Sequence, residues 1–582
     1  MIVDGRTIDR DAALAGYDVC IVGAGPAGLV AAKEFLGCGF RICLVESGGF
    51  EPDAATQLLA QFEVEENDDL YPDPLHGHDR RVGGTSAQWD VLIDRQRHLH
   101  LVPLDESDFL ERPWLPDSGW PISARTLAPF LHRAQEACEA GNIDYRPEAH
   151  ADDAHRLFEN ERLTSRVVSF GAQDVFQKHL PQRLASSPDV TIITWSNVVE
   201  LLSNETADTI SAVQVACMNG NRFSIKPRML ILAQGAFEVP RLLLASRSTA
   251  RAGIGNHHDL VGRYLMDRQI VRAGVLTPTS AAGLRKFAFY DMHRSHGKQV
   301  LGKLTLSTKT LSEEAILGNL ISFSPRERFS LYQGLHRPFG REATSRAPAH
   351  RSARALVAAW RERKLPRQLL PHLLEIARGI DDLVYIKMLR RMSYRPEFNF
   401  DSLGWHGTKD FEKRFPTLDV HQMCEQSPDP HNRITLTAER DAVGMQRGRV
   451  TFKWNDLDIF SIVRTQDILA EEFARAGIGE LRLERREGYP ILAQMSAHHP
   501  SGTTRMSHSP RTGVVDADCK VHGMSNLFVA SSSVFPTSGF APPTLTILAL
   551  AIRVADRVKE LMRPPGHDLF DSSPAAETSD QM

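Results

Sequence analysis

Asp18-Val-Cys-Ile-Val-Gly-Ala-Gly-Pro-Ala-Gly28 is the stretch that decides the fold of this chain. The apolar run Val19 to Val22 has the composition of a buried parallel strand, and Leu29 to Phe35 carries the period of a helix. Between them Gly23, Gly25 and Gly28 supply a tight turn, a close backbone approach to a pyrophosphate and close helix packing, with Ala27 the small residue inside that turn. A lone glycine triplet is weak evidence, and its register is what adds weight. The next apolar run, Arg41-Ile-Cys-Leu-Val45, ends in Glu46, 18 residues beyond Gly28. A carboxylate there accepts hydrogen bonds from both hydroxyls of an adenosine ribose and disfavours a 2′-phosphate. The stretch predicts a βαβ unit holding a dinucleotide.

Further pieces of the same unit stand far along the chain. Met229 to Ala236 reads as a buried strand ending in a small-residue turn, and Phe237 to Leu244 as a helix with Pro240 in its first turn. Leu527 to Ala530 reads as a short buried strand, and Thr544 to Val558 as an apolar-faced helix behind Pro542 and Pro543. This is more than a nicotinamide fold needs, so FAD is the expected dinucleotide. A second signature, His498-His-Pro-Ser-Gly-Thr-Thr-Arg-Met506, followed by Asn526 to Val534, suggests a histidine delivered to the reactive ring. A neutral imidazole suits removal of a hydroxyl proton while hydride leaves the carbinol carbon, because its ordinary pKa lies close to working pH.

These motifs, with Val82-Gly-Gly-Thr-Ser86 before Trp89, Gly235-Ala-Phe-Glu-Val-Pro-Arg241 and Glu425 to Arg433, resemble the glucose-methanol-choline (GMC) oxidoreductases in kind and in order. The segment Phe109 to Ile122 is similar to the sugar- and polyol-oxidising, pyranose-oxidase-like branch. The resemblance implies an α/β fold, with a Rossmann-like FAD-binding domain of the p-hydroxybenzoate-hydroxylase-like kind and an α+β substrate domain with an antiparallel sheet. Aligned on the family's HxxGT pattern, His499 is the catalytic histidine, with His498 beside it. The family's second catalytic residue, usually His or Asn, falls on Pro542, which offers no side-chain donor or acceptor. The same alignment places Gly83, Gly84, Thr85, Ser86 and Gly235 against the flavin or its pyrophosphate, Val198 or Val199 against adenine, and Ser532, Pro543 and Thr544 along the flavin. The helix opening at Thr544 would turn its positive end to the flavin N1–C2=O region. Covalent-flavin relatives carry a histidine where Gln88 stands, so non-covalent FAD is expected.

At 582 residues the chain is too long for one core. Residues 1–100, 190–268 and 500–562 are expected to form the FAD domain and 269–499 the substrate domain, with strands such as Gln299 to Ser307 and Arg449 to Trp454. A mostly helical cap is expected over 101–189 and a polar disordered tail over 563–582. The formal charge of −4 gives no pull toward nucleic acid. Between Arg326 and Arg395, 16 Lys or Arg stand against 6 Asp or Glu, which reads as solvated helix faces or as a basic rim that steers an anionic partner. Seven cysteines without CxxC pairs, no secretory start and no 18-residue apolar run favour a cytoplasmic protein without a membrane span.

The expectation is an enzyme oxidising an alcohol on a sugar, polyol or sugar-bearing natural product, with His499 as base and oxygen, a quinone or a carrier protein as acceptor. No metal is expected. Pro542 keeps two alternatives open, a lyase with structural FAD and a weakly active or non-catalytic flavin-binding protein.

Overall fold

A computed structural model describes residues 1–65, 74–89, 91–93, 96–158, 160–326, 369–380, 411–496 and 498–563, with short pieces at 349, 352–353, 356–357, 383 and 404–407. The deciding stretch opens an eight-stranded sheet. Across it lie Ile2–Asp4, Val190–Thr194, Ile42–Val45, Ala13–Val22, Arg222–Leu232, Ile210–Ala216 and Asn197–Ser203, and Leu527–Val529 also pairs with Arg222–Leu232. The pairings from Ile2–Asp4 through to Leu527–Val529 are parallel, whereas Ile210–Ala216 is antiparallel to both of its neighbours. Val19 to Val22 are buried, as an apolar run covered on both faces requires. The helix Pro26–Lys33 starts with proline in its first turn, where the missing N–H costs nothing.

The second sheet has ten strands, all in antiparallel pairings, with Gln269–Pro278, Thr417–Cys424, Asn319–Arg326 and Lys298–Leu306 at its centre. Thr417–Cys424 alternates half-buried and buried residues, and its buried Leu418 and Val420 join Leu304, Ile321 and Phe323 in a core against Ile468, Leu469 and Phe473 of the helix Asp456–Arg475. The opposite face carries Ile270, Arg272, Lys303, Ser322, His421 and Met423. A smaller sheet of Arg433–Arg440, Gln446–Thr451 and Glu63–Val64 packs through Ile434 and Val450 on Phe237 and Leu265.

Two expectations need correction. The stretch 101–189 is not mostly helical: helices span Ala124–Ala137 and Leu180–Ser186, but Leu163–Ala172 is a strand between Lys298–Leu306 and Gln96–Leu101. Its Leu163, Ser165 and Val167 point alternately into the sheet's core, a period of two that the buried polar Ser165 and Ser169 mask in sequence. Gln96–Leu101, counted with the dinucleotide unit, accordingly belongs to the large sheet. The strands expected at 299–307 and 449–454 stand at Lys298–Leu306 and Gln446–Thr451. The expected tail beyond Arg563 and most of the basic stretch 326–395 lie outside the described residues; within the stretch Leu369–Arg378 is a helix, and Arg326 pairs with Asp419 at 2.8 Å.

The last helix, Thr544–Met562, joins the outside of the dinucleotide unit to the region between the sheets. Arg133 of Ala124–Ala137 binds Asp556 of that helix and Glu34 at the end of Pro26–Lys33, each at 2.5 Å, and so ties three helices together. Among the described residues, no helix is long and apolar enough to cross a membrane.

Candidate active site

A cavity of about 540 Å³ runs from the ends of Ala13–Val22 and Ile42–Val45 to the polar face of the large sheet, where Ile270 and Met423 line it. Its first part is built from backbone. Gly23 turns the chain at φ +101°, a conformation that favours glycine. A Cβ on Gly28 would lie 1.9 Å from the Gly23 carbonyl oxygen, so Gly28 shapes the turn from beneath and does not line the cavity. A Cβ on Gly25 would meet only Gly84 Cα, at 4.0 Å, so this backbone faces open cavity. The second glycine turn is bonded to the first: Gly83 N–H donates to the Ala24 carbonyl at 2.8 Å. Gly83 stands behind the wall, whereas Gly84, Thr85 and Ser86 form it. Ser86 donates to the Gly83 carbonyl at 2.6 Å and accepts from Gln177 at 2.7 Å, which fixes this turn.

Glu46 is buried at the cavity wall. One carboxylate oxygen accepts the Ala24 N–H at 2.9 Å, and the other accepts Gly48 N–H and the Ser47 hydroxyl at 3.0 Å each. A carboxylate fixed in this way keeps lone pairs for a ribose diol. Ala27, Val198, Gly235, Ser532, Pro543 and Thr544 line the same cavity, whereas Val199 does not. The Gly235 Cα faces open space, and the Ser532 hydroxyl donates to the Pro500 carbonyl at 2.7 Å. Gln88 also lines it, its amide donating to Asp79 at 2.9 Å. Glycine faces that meet nothing, backbone turns and a fixed acid make a cradle that fits the dinucleotide of FAD.

Sequence reasoning missed a buried ionic network on this wall. Arg241, fully buried, binds Asp441 at 2.6 Å and Glu238 at 3.3 Å, and Arg80 binds Glu238 at 2.6 Å. Burial alone would push the Glu238 carboxyl up, but Arg80 and Arg241 outweigh it and hold the group well below the usual carboxylate range. The signal was present in Gly235-Ala-Phe-Glu-Val-Pro-Arg241, where two charges three residues apart sit inside an apolar helix.

At the large sheet the wall is made of side chains: His100, Ile270, Met423, His498, His499 and Pro542. The His499 backbone N–H donates to Asp267 at 2.8 Å, which anchors the residue. Its Nδ1 is buried without a partner among the described residues. Burial, reinforced by Arg268, His498 and His100, pushes the imidazole well below its ordinary pKa, so it is neutral and able to accept a proton. His498 has a left-handed backbone, φ +54°, which turns the chain immediately before His499.

The loop that ends at Pro542 is held from below by charges that the sequence did not connect. Arg268, buried, donates to the Ser538 carbonyl. Glu425 binds Arg112 through two bonds of 2.9 and 2.7 Å and accepts the N–H groups of Gly318 and Gly539 at 2.9 and 3.1 Å. Among the described residues no group of three metal-ligating side chains is assembled.

Residues 428–551 match the family model described as GMC oxidoreductase. The chain is 32% identical over 166 residues to the fructose dehydrogenase large subunit of Gluconobacter japonicus, an alignment covering 27% of this chain and 28% of that protein. It is 23% identical to paromamine 6'-oxidase of Streptomyces fradiae over 93% of this chain and 91% of that one. In fold it resembles a crystal structure of formate oxidase, with a TM-score of 0.51 and 18% identity over 95% of this chain and 99% of that one.

Proposed function

Since this chain is a GMC oxidoreductase, we propose that it oxidises an alcohol group of a sugar, a polyol or a sugar-bearing natural product, with FAD as its cofactor and His499 as the base. The observation that carries this reading is His499 itself. A neutral imidazole with a free nitrogen stands at one end of a cavity whose other wall is a dinucleotide cradle.

Bound FAD would supply the two-electron acceptor. The protein's part is proton handling and position. As the carbinol C–H bond breaks, its electron pair leaves as hydride; the O–H bond breaks, its proton goes to His499, and the carbon–oxygen bond becomes a carbonyl. Asp267 holds the His499 backbone beside the cavity. The start of the helix Thr544–Met562 at the wall offers its positive end to charge that grows there on reduction. Gln88 supports non-covalent binding, because an amide already donating to Asp79 offers no nucleophile for a link to the ring. The seven unpaired cysteines support a reducing compartment. The relatives' names include fructose, paromamine and a diol, which supports the substrate class and supplies the panel for a test.

The test is an anaerobic absorbance titration of the FAD-loaded protein with D-fructose, paromamine and 2-methyl-1,2-propanediol. Bleaching of the oxidised flavin band is expected with at least one, and His499→Ala should keep its FAD while reducing it roughly 10²- to 10⁴-fold more slowly. A His499→Ala protein that bleaches at the wild-type rate, or turnover that leaves the flavin band untouched throughout, would overturn the reading.

A further inference from the structure

Pro542 leaves the reacting hydroxyl with one polar partner, His499, where two are the rule. The cavity wall holds a second imidazole. His100 stands near the end of the strand Gln96–Leu101, opposite Phe170 in the register, with its ring 5.5 Å from the Phe170 ring. It lines the same cavity as His499 and Pro542. Neither of its ring nitrogens has a hydrogen-bond partner among the described residues, and Nε2 is buried.

We propose that His100, reaching the cavity from the large sheet, is a further catalytic residue: its ring N–H donates to the substrate oxygen whose proton His499 takes. The proposal rests on the alcohol-oxidation reading and assigns the contact that Pro542 cannot make.

A buried ring nitrogen with no partner is costly, and proteins seldom keep one where packing is the only task. His293, on the same sheet, also keeps its Nε2 buried without a partner among the described residues, but its ring is fixed by Nδ1, bonded to the Asp291 carbonyl at 3.0 Å. His100 has no such bond, so its donor is left for something that enters the cavity. Its protonation state suits the role. Burial, with Lys303 nearby, pushes the imidazole down to about 3, so at neutral pH the ring carries one N–H and one lone pair. A neutral donor strengthens its bond to the oxygen as negative charge grows there, and it does not compete with His499 for the proton. The family obtains this donor from the residue that precedes the last helix; here it comes from a strand more than 400 residues earlier in the chain.

Three variants of the FAD-loaded enzyme decide it: His100→Phe, which keeps a ring and removes the donor; His100→Gln, which keeps a donor; and His100→Phe with Pro542→Asn, which returns a donor on the family's side. Bound FAD is measured in each. His100→Phe is expected to reduce its flavin about a hundredfold more slowly, with kcat falling more than KM rises. His100→Gln should lose less, and Pro542→Asn should restore part of the rate. Trifluoroethanol, an acidic alcohol read by its perturbation of the flavin band, should bind the wild type more tightly than His100→Phe. A wild-type rate in His100→Phe overturns the proposal, as does an equal loss in all three variants, which would mark a packing role. If none of the alcohols bleaches the wild type, the alcohol-oxidation reading fails. The trifluoroethanol titration then decides His100 alone, and equal affinity in the wild type and His100→Phe, or no binding to either, overturns the assignment.

Discussion

Around Gly25 the cavity wall is largely backbone from two short turns, Gly23 to Gly28 and Gly83 to Ser86, whereas around His499 it is side chains from segments up to several hundred residues apart: His100, Ile270, Met423, His499 and Pro542. The two halves hold their shape differently. On the dinucleotide side, the glycine turns reserve space by leaving out Cβ atoms and present N–H groups already fixed by those turns, while the buried Arg80–Glu238–Arg241–Asp441 network backs another part of the wall. On the substrate side, buried charges fix the loops. Arg112, Arg268, Glu425 and Asp108 lie together beneath Ser538 to Pro542, and none has water to fall back on. Backbone geometry tolerates change in distant parts of the chain. A buried charge cluster depends on every member.

The largest effect should therefore come from breaking that cluster. Glu425→Gln removes the carboxylate that answers Arg112 directly and opposes the burial of Arg268, whose pKa burial has already pulled down to about 10. Leaving two buried guanidiniums without it should cost about 3–5 kcal/mol of stability, measured by urea unfolding of the FAD-loaded protein. A loss below about 1 kcal/mol would show that the loop before Pro542, like the glycine turns, is held by packing and backbone.

The same contrast explains what could be read in the sequence. The glycine turn, Glu46, His499 and the helix at Thr544 were legible because each follows from residues a few positions apart. The structure places Glu46, His499 and Thr544 on one cavity. Gly28 and Gly83 shape that wall from behind, a distinction spacing does not carry. His100, Met423 and Arg268 had no local signal. His100 enters the cavity only because Gln96–Leu101 pairs with Leu163–Ala172. That partner was read as part of a helical cap, because Ser165 and Ser169, polar at buried positions, hide the period of two. A pairing between strands 60 residues apart is set by the shape of the large sheet, not by either strand's composition.

A smaller effect separates two glycines in the same turn. Gly28→Ala puts a Cβ onto the Gly23 carbonyl oxygen and should destabilise the protein by about 1–3 kcal/mol even without FAD. Gly25→Ala should leave the FAD-free protein's Tm within about 1 °C, because its Cβ meets only Gly84 Cα at 4.0 Å, yet it should weaken FAD binding about tenfold. Thermal melts and FAD titrations of both variants check this. Equal losses of Tm would mean that the space before Gly25 is filled by protein and not kept for a ligand.

The smallest effect is one of pH, and its sign follows from which state binds the proton. His100, His293 and His421 all belong to the large sheet, and burial pushes them down to about 3, 4 and 4. Unfolded, they take protons below about 6.5, so their contribution to stability falls as pH drops from there toward 4. Asp108 and Asp458 oppose this. Burial raises them to about 7 and about 6, so the folded protein holds protons there that the unfolded chain has released, and their contribution grows as pH falls through the same window. His499 is pushed down and Asp291 raised as well, so four histidines stand against three carboxyl groups and stability should fall between pH 7 and pH 5. Because every one of these groups lies on the substrate side, the loss should be local. Amide exchange at pH 5 should quicken in Thr417–Cys424 and Lys298–Leu306 while Ala13–Val22 and Arg222–Leu232 keep their protection. Exchange that quickens equally in both sheets would show that the two halves open as one unit, and that the difference between backbone and charge ends at the cavity wall.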